Sequence, residues 1–270
     1  MSEADKAFTG SIPENYDRHM VPLIFQSYAE DLAQRAAALS PCAVLEIAAG
    51  SGVVTRALAP RLSPDATYIV TDLNQPMLDY AASQQPADNR IIWRQADALA
   101  LPFGDATFDL VCCQFGAMFF PDKQAGYREA RRVLKRGGRY LFSVWDRIED
   151  NVFADDVTNA LAEVFPQDPP RFMARTPHGY HDTALIRGDL EKAGFASVAI
   201  DTRAEQSRAP SAREVAVAYC HGTVLRIEIE ARDAGGLEAA TGYAASKIAS
   251  KHGRGEIAAK IQAHVIMAVA

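Results

Sequence analysis

Strand-like and helix-like stretches alternate along the first half of the sequence, and this alternation limits the fold more than any other feature does. Short apolar runs predict five strands, at CAVLEI, ATYIVT, RIIWRQ, TFDLVCCQ and GRYLFSVW. Helical patterns lie between most of them, over residues 53–62, 75–83 and 123–135. Such an alternation indicates right-handed crossovers and a mostly parallel α/β sheet with helices on both faces.

The second half of the sequence is less regular. A helix is predicted over 150–165, and a segment rich in Pro and Gly follows over 166–179. Regularity returns with a helix that ends at Gly194, a sixth strand over 196–202 and two helices within 212–252. The apolar run IQAHVIMAV predicts a last strand, with a buried helix end as the alternative. We therefore expect one domain over residues 1–270. Its parts are an N-terminal helical lid (1–40), a ligand-binding core (41–146), two covering segments (147–180 and 204–255) and the last strand (256–270).

Composition excludes several classes of function. The net charge is −6, whereas a surface that binds nucleic acid needs an excess of Lys and Arg. No apolar run approaches 18 residues and the acidic start does not resemble a signal peptide, so we expect no membrane span and a cytoplasmic protein. The four cysteines (Cys42, Cys112, Cys113, Cys220) have no metal-ligand spacing, and we expect no metal site.

Residues with recognisable chemistry follow four of the predicted strands. Glu46, Ala48, Gly50 and Gly52 follow the first strand, Asp72 the second, Asp97 the third, and the segment Gln114 to Phe120 the fourth. Open α/β sheets bind ligands beyond the carboxyl ends of their strands. We therefore expect these residues to share one crevice.

The residue types in this crevice predict an adenosine ligand with a cationic tail. The two glycines allow a ligand close to the backbone. Asp72 can accept hydrogen bonds from two ribose hydroxyls, while Asp97 and the N–H of Ala98 can pair with the edge of a purine. Glu46 would repel a pyrophosphate but would attract an ammonium or sulfonium group.

These motifs resemble the class I S-adenosylmethionine-dependent methyltransferases, and in particular the ubiquinone/menaquinone-biosynthesis methylases. VLEIAAGSG is similar to the first motif of the family, YIVTDLNQPMLDYA to the second, and IIWRQADALALPFGDATFDLV to the third and fourth. REARRVLKRGGRYLFSVWD and LEKAGF complete the resemblance, which covers residues 40 to 203. One departure is Ala48, because the family often has glycine there.

The resemblance implies a fold, a cofactor and a set of residue roles. The fold would be Rossmann-like: a doubly wound, seven-stranded, mostly parallel sheet with an antiparallel last strand and a helical insertion between strands six and seven. S-adenosylmethionine would be the cofactor and S-adenosylhomocysteine the product. Glu46 would lie near the methionine amino group and Asp72 on the ribose. The other implied cofactor contacts are Ala48, Gly50, Gly52, Leu73, Met77, Asp97, Ala98, Gln114, Phe115 and Tyr16.

The methyl acceptor is harder to predict. Methyl transfer is an in-line displacement that depends mainly on alignment, and a base is needed only for a protonated nucleophile. Tyr16 and His19, in YDRHMVPLIF, are the candidate catalytic residues. An aromatic or lipophilic small molecule is expected, because the predicted covering segments are rich in aromatic side chains. The candidate substrate contacts are Phe119, Phe120, Trp145, His178 and Tyr180.

Two other functions are compatible with this fold. A nicotinamide-dependent oxidoreductase would need Gly-x-Gly-x-x-Gly, but Val53, Val54 and Thr55 follow Gly52, and that function leaves Glu46 and Asp97 without a role. A non-catalytic, cofactor-binding regulatory module is the second alternative. The attacking atom of the acceptor and the formation of a homodimer stay open.

Overall fold

The computed structural model describes residue 14 and residues 16–270. Part of the predicted lid, residues 1–13 and 15, lies outside the described residues. A π-helix over Tyr16–Phe25 begins the continuous part. The strands are Ala43–Glu46 (β1), Thr67–Asp72 (β2), Ile91–Gln95 (β3), Phe108–Gln114 (β4), Leu134–Trp145 (β5), Ser197–Ala209 (β6) and Ile257–Val269 (β7).

The strands form one sheet in the order β3-β2-β1-β4-β5-β7-β6. Neighbouring strands from β3 to β5 pair in parallel. The last strand is antiparallel, because Gly138 accepts a hydrogen bond from Ala270 whereas Asp146, further along the chain, donates one to Gln262. The prediction of a doubly wound, mostly parallel sheet with an antiparallel last strand is confirmed.

The central strands are buried because helices cover both faces of a sheet of this kind. Val44, Leu45, Leu110 and Val111 are fully buried, and their strands are nearly continuous apolar runs. The α-helices are Gln26–Ala38 (α1), Val53–Leu58 (α2), Gln75–Gln84 (α3), Lys123–Val133 (α4), Val152–Val164 (α5), Phe172–Arg175 (α6), Thr183–Lys192 (α7), Ala212–Gly222 (α8), Leu225–Arg232 (α9) and Leu237–His252 (α10).

Contacts divide the chain into two compact units. The sheet unit contains Ser27–Val144, His181–Arg203 and Ala263–Ala270. The helical unit contains the described residues up to Gln26, together with Trp145–Tyr180 and Ala204–Gln262. The segments predicted to cover the acceptor thus contribute most of the helical unit, whereas the residues of the four sequence motifs from 44 to 144 lie in the sheet unit. That the two units act as one domain stays a prediction.

Three boundaries differ from the pattern-based prediction. β5 begins at Leu134, before the Gly137-Gly138 pair, because Leu134 pairs with Phe108. β6 extends to Ala209 rather than residue 202. The stretch 212–252 holds three helices, since Thr223 ends α8 by donating to the carbonyl of Tyr219 and then accepts from the N–H of Leu225. Within the described part of the chain, no helix combines the length and apolar character that crossing a membrane requires.

Candidate functional site

The parallel strands β3, β2, β1 and β4 are neighbours, so their carboxyl ends lie at one edge of the sheet. Glu46 is the last residue of β1, Asp72 of β2 and Gln114 of β4. Asp97 follows the end of β3 by two residues. The structure therefore places Glu46, Asp72, Asp97 and Gln114 at this edge of the sheet unit, whereas Tyr16, another predicted cofactor contact, belongs to the helical unit.

The loop after β1 has a strained and well-anchored backbone. Ala48, Gly50 and Gly52 have φ angles of 54°, 58° and 83°, all in the left-handed region. The N–H of Ile47 donates to the carbonyl of Cys112 at 2.9 Å, and that of Ala49 to Thr71 at 3.0 Å. Ala48 keeps the left-handed conformation although it carries a Cβ, which costs about 1–2 kcal/mol.

The two glycines of this loop meet different neighbours. A Cβ on Gly52 would lie 2.9 Å from the Cβ of Ala81, so Gly52 allows the loop to approach α3 closely. A Cβ on Gly50 would meet only the flexible end of Met77, at 3.7 Å. Gly52 thus has a packing role in addition to its φ, and Gly50 is the more open of the two positions.

Asp72 links the loop after β1 to the turn after β2. Its Oδ2 accepts a 2.8 Å hydrogen bond from the N–H of Gly50, and its Oδ1 accepts one of 2.8 Å from the N–H of Asn74. The side chain is buried, and burial raises the pKa of Asp72 while the N–H groups of Asn74 and Gly50 oppose that rise.

Glu46 is a buried carboxylate with two hydroxyl partners. Its Oε2 accepts hydrogen bonds from Thr55 Oγ1, at 2.8 Å, and from the hydroxyl of Tyr68. Burial is the largest cause that raises the pKa of Glu46, to about 7, and both hydroxyls act in the opposite direction. The group is therefore close to half ionised at neutral pH.

The residues predicted to contact adenine differ in exposure. Leu73 is 44% exposed, whereas Met77 is buried. Asp97 is exposed, and its Oδ1 accepts a 2.9 Å hydrogen bond from the N–H of Leu99. Ala98 is half-buried.

The segment after β4 contains a second strained residue. Phe115 has a φ of 52°, and its N–H donates to the carbonyl of Ser143 at 3.1 Å. Its ring meets the ring of Tyr28 edge-on, with 5.5 Å between centroids. Left-handed backbone at a bulky residue is costly and concentrates at functional sites. Ala48 and Phe115 place such strain after two adjacent strands.

The aromatic residues further along this segment have different surroundings. Phe119 is half-buried and Phe120 is buried. The ring of Phe120 packs on Gly126 of α4, where an added Cβ would lie 2.5 Å from it. Phe120 therefore contributes to packing, and its contact with a substrate stays a prediction.

Several predicted acceptor residues come together in the helical unit. Tyr16 stacks on Phe25 with 4.9 Å between ring centroids, Phe25 lies 5.9 Å from Trp145, and Trp145 lies 6.0 Å from His178. Sequence reasoning missed Phe25, because residues nine apart lie on opposite faces of an α-helix, whereas this segment is a π-helix. These four residues are called the aromatic row below.

The histidines of the helical unit have defined contacts. His178 is buried, and its Nδ1 lies 2.8 Å from the carbonyl oxygen of Asp146. A carbonyl only accepts, so Nδ1 carries the proton and Nε2 is the basic nitrogen of the neutral ring. His19 Nδ1 lies 3.6 Å from a carboxylate oxygen of Glu214. Tyr180 is buried.

Sequence reasoning also missed Thr55 and Tyr68, the two partners of Glu46. Tyr68 lies on the same face of the sheet as Glu46, because Glu46 pairs with Val70 and Tyr68 is two residues earlier on β2. A polar aromatic residue inside a predicted strand was the signal, but only the register between strands identifies its partner.

Known proteins resemble this chain in sequence and in fold. Residues 45–142 match the model of a methyltransferase domain. A ubiquinone/menaquinone biosynthesis C-methyltransferase of Saccharophagus degradans is 27% identical over 165 residues, with 57% of this chain and 66% of the relative covered. One from Caulobacter vibrioides is 31% identical over 172 residues, with 57% and 68% covered. The chain thus spans about two thirds of the length of these relatives.

Two solved structures share the fold. Phosphoethanolamine N-methyltransferase 2 of Haemonchus contortus, in complex with phosphomonomethylethanolamine and S-adenosylhomocysteine, has a TM-score of 0.61 at 15% identity, with 98% of this chain and 59% of that chain covered. The YcgJ protein of Bacillus subtilis has a TM-score of 0.57 at 20% identity, with 90% and 98% covered. Taken with the sequence relatives, these findings show that the chain belongs to the class I S-adenosylmethionine-dependent methyltransferases, in the branch of the ubiquinone/menaquinone-biosynthesis methylases.

Proposed function

We propose that the chain transfers the methyl group of S-adenosylmethionine to a small aromatic or lipophilic acceptor. The observation that carries this proposal is the pair of buried carboxylates, Glu46 and Asp72, at adjacent strand ends beside a left-handed glycine loop. Two buried carboxylates disfavour a pyrophosphate, whereas a ribose and an ammonium group suit them. These two acceptors therefore fit S-adenosylmethionine better than they fit a dinucleotide.

In this proposal each strand end holds one part of the cofactor. Asp72 accepts hydrogen bonds from the ribose hydroxyls, and Glu46 attracts the amino group of the methionine part. Leu73 and Met77 pack on the adenine, Asp97 and the N–H of Ala98 pair with its edge, and Gln114 and Phe115 lie beside the methionine part. The exposure of Leu73 supports its role, because an adenine face would cover the side chain.

The chemistry of the step needs little from the protein beyond alignment. Bound S-adenosylmethionine supplies a methyl group already activated by the sulfonium. The strained backbone at Ala48 and Phe115 pre-positions the cofactor-binding loops, and positioning of this kind contributes several kcal/mol to catalysis. A protonated nucleophile would need a base in addition.

The class of acceptor rests on the aromatic side chains and on the relatives. Tyr16, Phe25, Trp145 and His178 form the aromatic row, a surface chemistry suited to flat apolar molecules. The similar proteins are named for C-methylation in ubiquinone and menaquinone biosynthesis. Quinol-type aromatics are therefore the first acceptors to test, with phenols and amines as alternatives.

Two measurements test the proposal. Calorimetry should detect binding of S-adenosylmethionine and no binding of NADH or NADPH; binding of the nicotinamides alone would contradict it. With methyl-labelled cofactor, we expect label in at least one member of a panel of quinols, phenols and amines. Tight cofactor binding without transfer to any of them would instead favour a regulatory module.

Tyr16 and His19 remain the proposed catalytic residues. We expect Tyr16→Phe and His19→Ala to lower turnover more than they lower stability. Because His19 Nδ1 lies 3.6 Å from Glu214, Glu214→Gln is a matched control that removes this carboxylate and keeps the imidazole. Equal loss of turnover in His19→Ala and Glu214→Gln would assign the effect to the contact between the two side chains rather than to the ring.

A further inference from the structure

Three buried side chains meet at one atom beneath the loop after β1. Glu46 is 2% exposed, and Thr55 and Tyr68 are fully buried. Both hydroxyls reach the same carboxylate oxygen, Oε2 of Glu46. An ionised carboxylate only accepts, and hydroxyls can donate, so both contacts are satisfied at once when Glu46 is ionised.

The position of each partner is determined by the fold rather than by side-chain freedom. Tyr68 lies on β2, on the same face of the sheet as Glu46, and Thr55 is the third residue of α2. A third hydroxyl, that of Thr71, donates to the backbone carbonyl of Glu46 at 2.8 Å. Glu46 is therefore held from β2 and α2 at both its backbone and its carboxylate.

The charged and titratable groups around Glu46 differ in their effect on the ionisation of its carboxyl group. Arg56 on α2 favours the ionised carboxylate, and Asp72 on β2 disfavours it. Burial raises the pKa of the Cys112 and Cys113 thiols on β4, the latter to about 12, so both are neutral. Burial also raises the pKa of Tyr68, which therefore keeps the proton that it donates.

Together, burial and these neighbouring groups leave Glu46 near the midpoint of its ionisation at neutral pH. Burial raises the pKa of Glu46 to about 7, against the two hydroxyls. A neutral Glu46 would present no charge to a cationic ligand. The two hydroxyl hydrogen bonds, with a smaller contribution from Arg56, thus favour a negative charge on a buried group.

We propose that Tyr68 and Thr55 are positioning residues that hold the Glu46 carboxylate ionised and oriented for the amino group of the cofactor. The inference rests on the proposed function, because it assigns the cationic end of S-adenosylmethionine to Glu46. In this proposal Tyr68 and Thr55 affect the affinity for the cofactor indirectly, because they change the fraction of Glu46 that is ionised.

The test measures cofactor affinity as a function of pH in matched variants. Calorimetric affinities for S-adenosylhomocysteine are recorded from about pH 5.5 to 8.5, a range that contains the expected midpoints of the wild type and the variants. The α-amino group of the ligand titrates in the same way in every measurement, so the difference between variant and wild type reports on Glu46. The variants are Tyr68→Phe and Thr55→Val, which each remove one hydroxyl, and Thr55→Ser, which keeps it. The control ligand is 5′-methylthioadenosine, which has the same nucleoside without the amino-acid chain.

In the wild type we expect affinity for S-adenosylhomocysteine to fall as the pH drops below about 7, as Glu46 becomes neutral. Loss of one hydrogen bond to a charged group should move this midpoint upward by roughly one pH unit in Tyr68→Phe and Thr55→Val. At pH 6 that shift weakens binding by roughly tenfold. Thr55→Ser should keep the wild-type midpoint, and 5′-methylthioadenosine should show no shift in any variant.

A second measurement distinguishes a change in the ionisation of Glu46 from a folding defect in the variants. The carboxyl ¹³C resonance of Glu46 in the cofactor-free protein should titrate at higher pH in Tyr68→Phe than in the wild type. An unchanged midpoint in both Tyr68→Phe and Thr55→Val would overturn the inference, as would an equal loss of affinity for 5′-methylthioadenosine. Absence of S-adenosylhomocysteine binding to the wild type would instead count against the proposed function itself.

Discussion

The backbone N–H of Gly50 donates a 2.8 Å hydrogen bond to the carboxylate of Asp72 across the ends of β1 and β2. The group proposed to hold the ribose therefore also fixes the conformation of the glycine loop. Since Gly50 has a left-handed φ of 58°, this bond helps to keep an uncommon backbone shape in place. Under the proposed function, the geometry of the loop and the recognition of the ribose would depend on the same side chain.

Asp72→Ala is expected to weaken binding of S-adenosylmethionine by tenfold or more, about 1.4 kcal/mol, because a charged acceptor is lost. Calorimetry measures the affinity, and thermal unfolding measures the accompanying loss of loop anchoring. A nucleoside without ribose hydroxyls separates the two effects. The wild type should discriminate 5′-methylthioadenosine from its 2′,3′-dideoxy analogue, and Asp72→Ala should bind both about equally. Continued discrimination in the variant would argue against the ribose assignment.

Ala48→Gly is expected to stabilise the protein by about 0.5–1 kcal/mol. Relief of left-handed strain, about 1–2 kcal/mol, exceeds the cost of glycine in the unfolded chain, about 0.4–1 kcal/mol. Ala49→Gly is the matched control, because Ala49 is buried next to it but is not among the residues with positive φ. Chemical denaturation should show a loss for Ala49→Gly and a gain for Ala48→Gly. Equal losses would contradict the strain at Ala48.

Hydrophobic periodicity predicts the strands of the sheet well. The residues at the strand ends can be predicted too, because each of them directly follows its strand in the sequence. Glu46, Asp72 and Asp97 each follow an apolar run, so their positions at one edge could be predicted from topology rules alone. The partners of Glu46 could not be predicted in this way. Tyr68 reaches Glu46 only through the register of β1 and β2, which no single stretch of sequence contains.

The residue types did not predict the backbone strain either. Ala48 and Phe115 are not residues that favour a positive φ, yet both adopt one. Their conformations are imposed by hydrogen bonds to other strands, such as that from the Phe115 N–H to Ser143. The break at Thr223 also escaped the pattern, because a threonine that caps two helices resembles one inside a single helix.

Gly52→Ala is expected to destabilise the protein more than Gly50→Ala, by about 1–3 kcal/mol. Both positions have a positive φ, but only at Gly52 would the new Cβ meet a rigid neighbour, the Cβ of Ala81 at 2.9 Å. Urea denaturation of the two variants gives the difference. In an Ala81→Gly background the penalty of Gly52→Ala should shrink toward that of Gly50→Ala. If the penalty of Gly52→Ala is the same with and without Ala81→Gly, the strain comes from the positive φ of residue 52 alone.

Glu46→Gln is expected to change how the stability of the cofactor-free protein depends on pH. The folded-state pKa of Glu46, about 7, lies above the usual value of 4.5, so the stability contributed by the neutral form is complete below pH 4.5. It is lost as the pH rises to about 7, and the loss amounts to about 3 kcal/mol.

The readout for this last prediction is the difference between wild type and Glu46→Gln in free energy of unfolding, measured at pH 5 and pH 8. Comparison at each pH removes the contribution of other groups, including Asp72, whose pKa burial also raises. The variant should gain in relative stability from pH 5 to pH 8, since Gln has no charge to bury. With saturating S-adenosylmethionine at pH 8, we expect the wild type to become more stable than Glu46→Gln, because only the ionised Glu46 attracts the amino group. A difference that is the same at both pH values would show that Glu46 does not titrate between them.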